Sequence, residues 1–411
     1  MITPEEFPYI TSIYVNDCYA YQNFNIDLVK HQPFSHLILT GKNGSGKSTI
    51  LRMVNNDIVS NLSGKAIVDK NRLLSIQISE IHSRNYSSGE LEEKKRKIKE
   101  YNLIKPLYFF VNPEIIFSDN KKDIIYSYLL QYRKSNVNEV KSPTKQEEFE
   151  KQLEQNASSS DFFIKNFKQF LVNKKVNQAF AQLKNNQEEI ANTNKFFQDI
   201  ESIFGEIFED KGLKLVFVED AYEFFIKLGD GRELTFDILP DGFSAFLSIL
   251  MDLFVRLDLI RKTVGSQTYN PCGIVLIDEP ETHLHLSLQY QVLPILTTLF
   301  PNIQFIVATH SPAVISSIKN VTVFDLTSKE TLSDEAVGKS FSELMVSHFG
   351  LDNEFSSLTD DIFDEFNAVL RENRKNIPLR NEKIKKLMAK HERYISPTMR
   401  FELEAKLSES L

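Results

Sequence analysis

Apolar and polar positions along this chain switch repeatedly between a period of two and a helical period. Tyr9-Ile10-Thr11-Ser12-Ile13-Tyr14-Val15 and then Tyr21 to Leu28 alternate, which predicts two strands of a hairpin. Leu37-Ile38-Leu39 is a short continuous apolar run of buried-strand type, and Thr49-Ile50-Leu51-Arg52-Met53-Val54 turns to helical spacing, with the helix expected to end near Val59. From about residue 77 to 204 the pattern is mostly helical with polar loops. Glu90 to Glu100 holds Glu-to-Lys pairs four apart, as on a solvated helix, and Leu107-Tyr108-Phe109-Phe110-Val111 predicts a strand interrupting the region. Residues 134–160, with Ser158-Ser159-Ser160, are expected to be a flexible linker, and Phe163, Phe167, Phe170 and Leu171 predict a long amphipathic helix or helical hairpin up to about Phe208.

Strand signals return at Leu213 to Val218, Phe224 to Leu228 and Leu234-Thr235-Phe236, with a Gly229-Asp230-Gly231 turn between the last two. An apolar helix is predicted from about Phe243 to Lys262. Ile274 to Ile277 and Ile303 to Ala308 are the short apolar runs of central parallel strands, and the last eighty or so residues are helical and charged. No internal repeat is found. The pattern gives an α/β class with a parallel sheet core and a discontinuous organisation. Residues 1–76 and 205–330 form the core, to which the strand near 107–111 is a further candidate. Residues 77–204 are a mostly helical insertion, and 331–411 a helical C-terminal region.

Chemistry enters at the turn between the first buried strand and its helix. Gly41-Lys42-Asn43-Gly44-Ser45-Gly46-Lys47-Ser48 fits G-x-x-x-x-G-K-[ST] at every position, followed by Thr49. Three glycines let the backbone turn tightly and point its N–H groups inward, and with the first helical turn these form a socket for a polyphosphate. In that socket Lys47 reaches the β- and γ-phosphates and the Ser48 hydroxyl binds Mg²⁺. A second apolar strand, Gly273 to Ile277, ends in Asp278-Glu279-Pro280, which suits Asp278 for the metal and Glu279 for polarising an attacking water. His310, just past Ile303 to Ala308, is a candidate γ-phosphate sensor. Gly242, at the entrance of the apolar helix, offers bare N–H groups to an anion.

Composition narrows the setting. With 411 residues there is room for two or three folding units, and ordinary apolar and charged fractions (42% and 25%) indicate a globular protein. A net charge of −8 argues against a generic DNA-coating protein but leaves local nucleic-acid contact open. No apolar run reaches membrane-spanning length, the N-terminus has no signal-peptide pattern, and two isolated cysteines suit a reducing cytoplasm. His283, His285, His310 and Cys272 lack structural-zinc spacing.

Four elements occur in one order: the phosphate loop, Leu239-Pro240-Asp241-Gly242-Phe243, Asp278-Glu279-Pro280-Glu281-Thr282-His283-Leu284-His285, and Thr309-His310-Ser311-Pro312. Together they resemble ABC-type ATPases of the structural-maintenance, RecF and overcoming-lysogenization-defect group. More narrowly, they are similar to stand-alone bacterial AAA-family ATPases of anti-phage systems of the Septu and retron-associated kind. The resemblance covers residues 9–60 and about 213–326. It implies a P-loop NTPase head that uses ATP and Mg²⁺ and dimerises head to tail, or assembles further. Each nucleotide would lie between one subunit's loop and the other's signature segment, in which Asp241, Gly242 and Ser244 are the candidate contacts. Glu281 to His285 would form the D-loop between subunits. It also implies a separate effector chain such as a nuclease, since the tail is too short and too helical for a fused one. Pro240 stands where the family's signature has Ser, Phe243 where it has a polar residue, and Leu286 where Pro often follows the D-loop. Two family features are left unplaced: a Q-loop glutamine, for which Gln77 is a candidate, and an adenine-stacking aromatic, for which Tyr14, Tyr19, Tyr21 and Phe24 are candidates. A RecF-like ATPase binding DNA directly, or an ATP-binding switch with little turnover, stay as alternatives.

Overall fold

The computed structural model describes residues 1–18, 21–28, 33–62, 107–112, 123–157, 159–332, 357–373 and 376–409. Two compact units are present, Met1–Phe341 and Ser342–Leu411. In the first, the strands are β1 (Tyr9–Cys18), β2 (Tyr21–Asp27), β3 (His36–Thr40), β4 (Leu107–Asn112), β5 (Ile125–Leu129), β6 (Lys214–Val218), β7 (Glu223–Lys227), β8 (Glu233–Leu234), β9 (Gly273–Asp278), β10 (Ile303–Ala308), β11 (Val321–Asp325) and β12 (Glu330–Thr331). Its principal helices are α1 (Lys47–Leu62), α2 (Gln146–Gln155), α3 (Ser160–Lys165), α4 (Phe167–Leu183), α5 (Gln187–Ile207), α6 (Asp241–Val264) and α7 (Val292–Leu299).

A six-stranded sheet of order β12-β11-β3-β10-β9-β5 organises this unit. All its pairings are parallel except that of β12. Every residue of β3, β9, β10 and β11 is buried, which is why the runs Leu37 to Leu39, Ile274 to Ile277 and Phe305 to Ala308 are apolar without alternation. A shared strand direction has a consequence for function. Leu39 and Asp278 both register with Ala308, and Leu129 registers with Ile277, so β3, β10, β9 and β5 all end at one edge of the sheet. Ligands of open parallel sheets bind at that carboxyl edge.

The antiparallel sheet β2-β1-β4 shares a hydrophobic core with α1 and the central sheet, including Ile13, Val15, Leu37, Ile50, Leu51, Leu276 and Ile306. Gln304, buried on β10, joins the two sheets: its amide accepts from Ile10 N–H and donates to the carbonyls of Ile10 and Ser35. The meander β6-β7-β8 packs against the helical hairpin of α4 and α5, where Phe197 stacks on Phe224. Helix α6 is apolar nearly all round because it is a core helix.

Two expectations are corrected. Within 134–160, expected to be a linker, lies α2; Glu147 and Glu148 suit its positive N-terminal end, and Phe149 and Leu153, four apart, are its buried face. Inside the stretch expected to be mostly helical lies β5, paired with β9 in the central sheet. Ser127 interrupts its apolar run and hides the strand, because that hydroxyl has a buried partner, Asp252 of α6.

In the second unit the described residues form α8 (Ser357–Glu372), α9 (Ile377–Lys390) and α10 (Pro397–Glu409), packed through Ile362, Phe366, Ile384, Leu387, Met399 and Leu403.

Candidate nucleotide site

Between β3 and α1 the chain makes the turn that the glycines allow. Gly41, Gly44 and Gly46 all have positive φ, and a Cβ on Gly41 would meet Ser45 Oγ at 2.9 Å and Asp325 Oδ1 at 3.0 Å. Lys42 N–H donates to Thr327 Oγ1 at 2.9 Å, so the strand end of β11 supports the loop from behind. Lys47 opens α1 and is buried. Its ammonium folds back onto the carbonyls of Gly41 (3.0 Å) and Lys42 (3.3 Å). Burial holds its pKa below the usual lysine value, and Glu279 and Asp278 act in the opposite direction. Next to it, Ser48 Oγ donates to Asp278 Oδ1 at 3.1 Å, joining the loop to the tip of β9.

Beyond Asp278 the backbone turns abruptly. Glu279 has φ of 49°, a left-handed conformation costly for any residue but Gly, and its N–H donates to Ala308 O at 2.8 Å. Its Oε1 lies 3.6 Å from His310 Nε2. Burial first, and Glu281 second, push the Glu279 pKa up to about 8. Burial and then Lys47 lower that of His310 to about 4, so the imidazole is neutral at physiological pH. Glu281 is turned inward: its Oε1 accepts from the Thr309 hydroxyl and, at 3.1 Å each, from the N–H groups of His310 and Ser311. The expected D-loop therefore begins with a side chain that fixes the tip of β10 in its own subunit.

These tips enclose a cavity of about 370 Å³ lined by Asn43, Gly44, Gly46, Lys47, Ser48, Thr49, Gln131, Glu279 and His310. Asp278 reaches it through Ser48, whereas buried Gly41 and Ser45 shape the loop from within. The sequence reading missed Gln131, which follows β5 by two residues. Its signal was a weaker form of the one at the other tips: the run Ile124 to Leu130, broken only by Ser127, closed by a polar residue. Gln77, the candidate for a Q-loop glutamine, lies outside the described residues.

A family model described as "AAA domain, putative AbiEii toxin, Type IV TA system" matches residues 37–316. The chain belongs to this AAA family. The fold that carries it is an α/β P-loop NTPase fold. Over 89 residues (22% of this chain) the AAA chain is 36% identical to "Retron Vc95 probable ATPase" of Vibrio cholerae serotype O1 biovar El Tor. Over 89 residues (21%) it is 40% identical to "Retron Ec83 probable ATPase" of Escherichia coli. Over 312 residues (74%) it is 25% identical to "Septu protein PtuA" of Bacillus mycoides (strain KBAB4). The matched stretches span 17%, 16% and 38% of those relatives' own lengths.

The signature segment of the AAA chain does not line this cavity. Ser244, expected to offer its hydroxyl to a nucleotide, is buried and bonded to Ser135 N (2.7 Å) and Oγ (2.8 Å). Its partner is the polar strand-to-helix segment after β5, which needs an acceptor. Asp241 is at the surface, paired with Lys134 at 3.1 Å. Gly242 is required by close packing: a Cβ there would come within 2.3 Å of His283 O. Of the aromatic candidates, Phe24 is a core residue stacked on Phe324, Tyr14 O–H donates to Asn23 Oδ1 at 3.2 Å, and Tyr19 lies outside the described residues. Among the described residues no cluster of three His, Cys, Asp or Glu that could hold a metal occurs, and no helix is long and apolar enough to cross a membrane.

Proposed function

We propose that the chain binds ATP with Mg²⁺ at the four strand tips and hydrolyses it, and that two copies close head to tail around the nucleotides. The observation that carries this is the convergence of the glycine loop, Gln131, Glu279 and His310 on one cavity. Loop amides and the positive end of α1 suit an anionic polyphosphate. Lys47 exchanges its two loop carbonyls for phosphate oxygens. Ser48 and Asp278 present hard oxygen donors 3.1 Å apart, a set that fits Mg²⁺. Bound there, Mg²⁺ supplies neutralisation of the phosphate charge. Glu279 takes the proton of the attacking water, Gln131 orients that water, and neutral His310 hydrogen-bonds the γ-phosphate and registers its loss.

The retron and Septu names of the relatives support a place in bacterial anti-phage defence. There, in the cytoplasm, the chain acts as sensor or scaffold controlling a separate effector such as a nuclease, through its charged helical surfaces. A second reading, a switch that binds ATP and scarcely turns it over, is favoured by the inward-facing Ser244.

Phosphate release and nucleotide affinity test the proposal. Wild type shows Mg²⁺-dependent turnover, Lys47→Ala loses nucleotide affinity, and Glu279→Gln keeps affinity while turnover falls by about 10²–10⁴. A wild type no faster than Glu279→Gln overturns hydrolysis and leaves the switch reading.

A further inference from the structure

Two residues beyond Gln131, the buried guanidinium of Arg133 meets three separate stretches of main chain. Its Nη1 donates to Leu130 O at 2.7 Å and to Asp278 O at 2.8 Å, its Nη2 to Glu279 O at 2.8 Å, and its Nε to Ala245 O at 3.2 Å. The acceptors are the end of β5, the tip of β9 and the first turn of α6. Each of these bonds ends on a carbonyl. Burial lowers the Arg133 pKa to about 10, so the group stays charged near neutrality, with Glu281, Asp278 and Glu279 favouring the charge.

Burying a cation is expensive, and a pure packing role is filled more cheaply by an apolar side chain. What a planar guanidinium does that no apolar group can is hold several carbonyls at fixed mutual angles. One of them needs holding. Glu279 is left-handed, a conformation that is costly for a residue with a Cβ and lasts only where its surroundings over-determine it. Its N–H is taken by Ala308 O, and its carbonyl by Arg133 and by Thr282 Oγ1 at 2.8 Å. The same segment continues to α6 through Ser135, whose Oγ donates to Phe236 O at 2.8 Å and whose N–H bonds Ser244.

We propose that Arg133 is a positioning residue: it fixes the backbone turn that aims Glu279 into the cavity and ties that turn to Gln131 on one side and to the first turn of α6 on the other. A change at the Gln131 turn on nucleotide binding is thereby passed to Glu279 and to the segment that enters α6. The inference rests on the reading of Glu279 as the base.

Arg133→Lys keeps the charge but places three donors on a flexible stem that cannot span the three segments. The expected result is a fall in kcat of about tenfold or more per folded molecule, with the affinity for a fluorescent ATP analogue changed by less than about threefold. Adding Gln131→Ala to Arg133→Lys lowers kcat no further than the worse single variant, because both act through one link. An Arg133→Lys protein with wild-type kcat, or with a change in KM alone, overturns the inference. Should that variant not fold, Thr282→Val removes the other side-chain donor to the Glu279 carbonyl without disturbing the buried cation. Its kcat is expected to fall about threefold to tenfold at constant analogue affinity, and an unchanged kcat overturns the inference. Wild-type turnover in Glu279→Gln instead overturns the hydrolysis reading. Inactive Glu279→Gln beside fully active Arg133→Lys removes the role of Arg133 alone.

Discussion

His36 stands on β3 between Phe34 and Phe305, and its Nδ1 accepts from Phe305 N–H at 3.1 Å. Burial lowers its pKa from 6.5 to about 4, so the folded chain holds the ring neutral while the unfolded chain protonates it first. The stability this group contributes is therefore complete above pH 6.5 and is lost as pH falls towards 4, by up to about 3 kcal/mol. Urea unfolding of wild type at pH 7 and pH 4.5 is expected to show that loss, and His36→Asn, which keeps an acceptor without the titration, is expected to flatten it. Gly242 gives a second prediction at this scale. A methyl group there collides with the main chain of His283, so Gly242→Ala is expected to lower stability by about 1–3 kcal/mol in thermal unfolding. Residues whose placement is set by local geometry were legible in the sequence: the positions of the loop glycines, Lys47 and Ser48 at the turn follow from spacing alone. Ser244, Glu281 and Arg133 were not, because each is defined by partners about 28 to 145 positions away that no local pattern announces.

At the level of elements, β5 and α6 are fastened at two heights. Near the cavity Arg133 and Ser135 reach the first turn of α6. Lower down, Ser127 Oγ donates to Asp252 Oδ2 at 2.6 Å, and Arg256 Nε donates to both oxygens of that carboxylate at 3.0 Å. Asp252 is fully buried, and burial raises its pKa against the pull of Arg256. Removing one partner strands the other, so Asp252→Ala is expected to cost about 3–5 kcal/mol in denaturant unfolding, and the double change Asp252→Leu with Arg256→Met to recover most of it. This fastening also explains which elements the sequence concealed. β3, β9 and β10 were legible because both their faces are apolar, and α6 because its burial makes it apolar nearly all round. β5 was not, since its central serine serves the buried network, and α2 was not, since a ten-residue helix with only Phe149 and Leu153 buried has almost no periodic signal.

At the scale of the whole molecule, the proposed closure of two copies around nucleotide gives a prediction. Tyr132 is 93% exposed and, with exposed Leu130, flanks the cavity residue Gln131. Ile238 is exposed just before α6, and Leu286 is exposed just after the segment that packs on Gly242. Single exposed apolar side chains are ordinary, but Leu130 and Tyr132 flank a residue that lines the cavity, and in the proposed dimer they are the side chains a second copy would cover. Tyrosine is enriched among the residues that dominate such contacts. Glu279→Gln with Mg²⁺ and ATP is expected to double its mass in light scattering, because nucleotide is bound and not consumed. Adding Tyr132→Glu to that variant is expected to return it to the single-chain mass with ATP affinity changed by less than about threefold, since Tyr132 is exposed and does not line the cavity. Loss of nucleotide binding alongside loss of association places Tyr132 in the pocket instead. A doubled mass that survives Tyr132→Glu moves the contact to another face and removes the head-to-tail arrangement from the proposal.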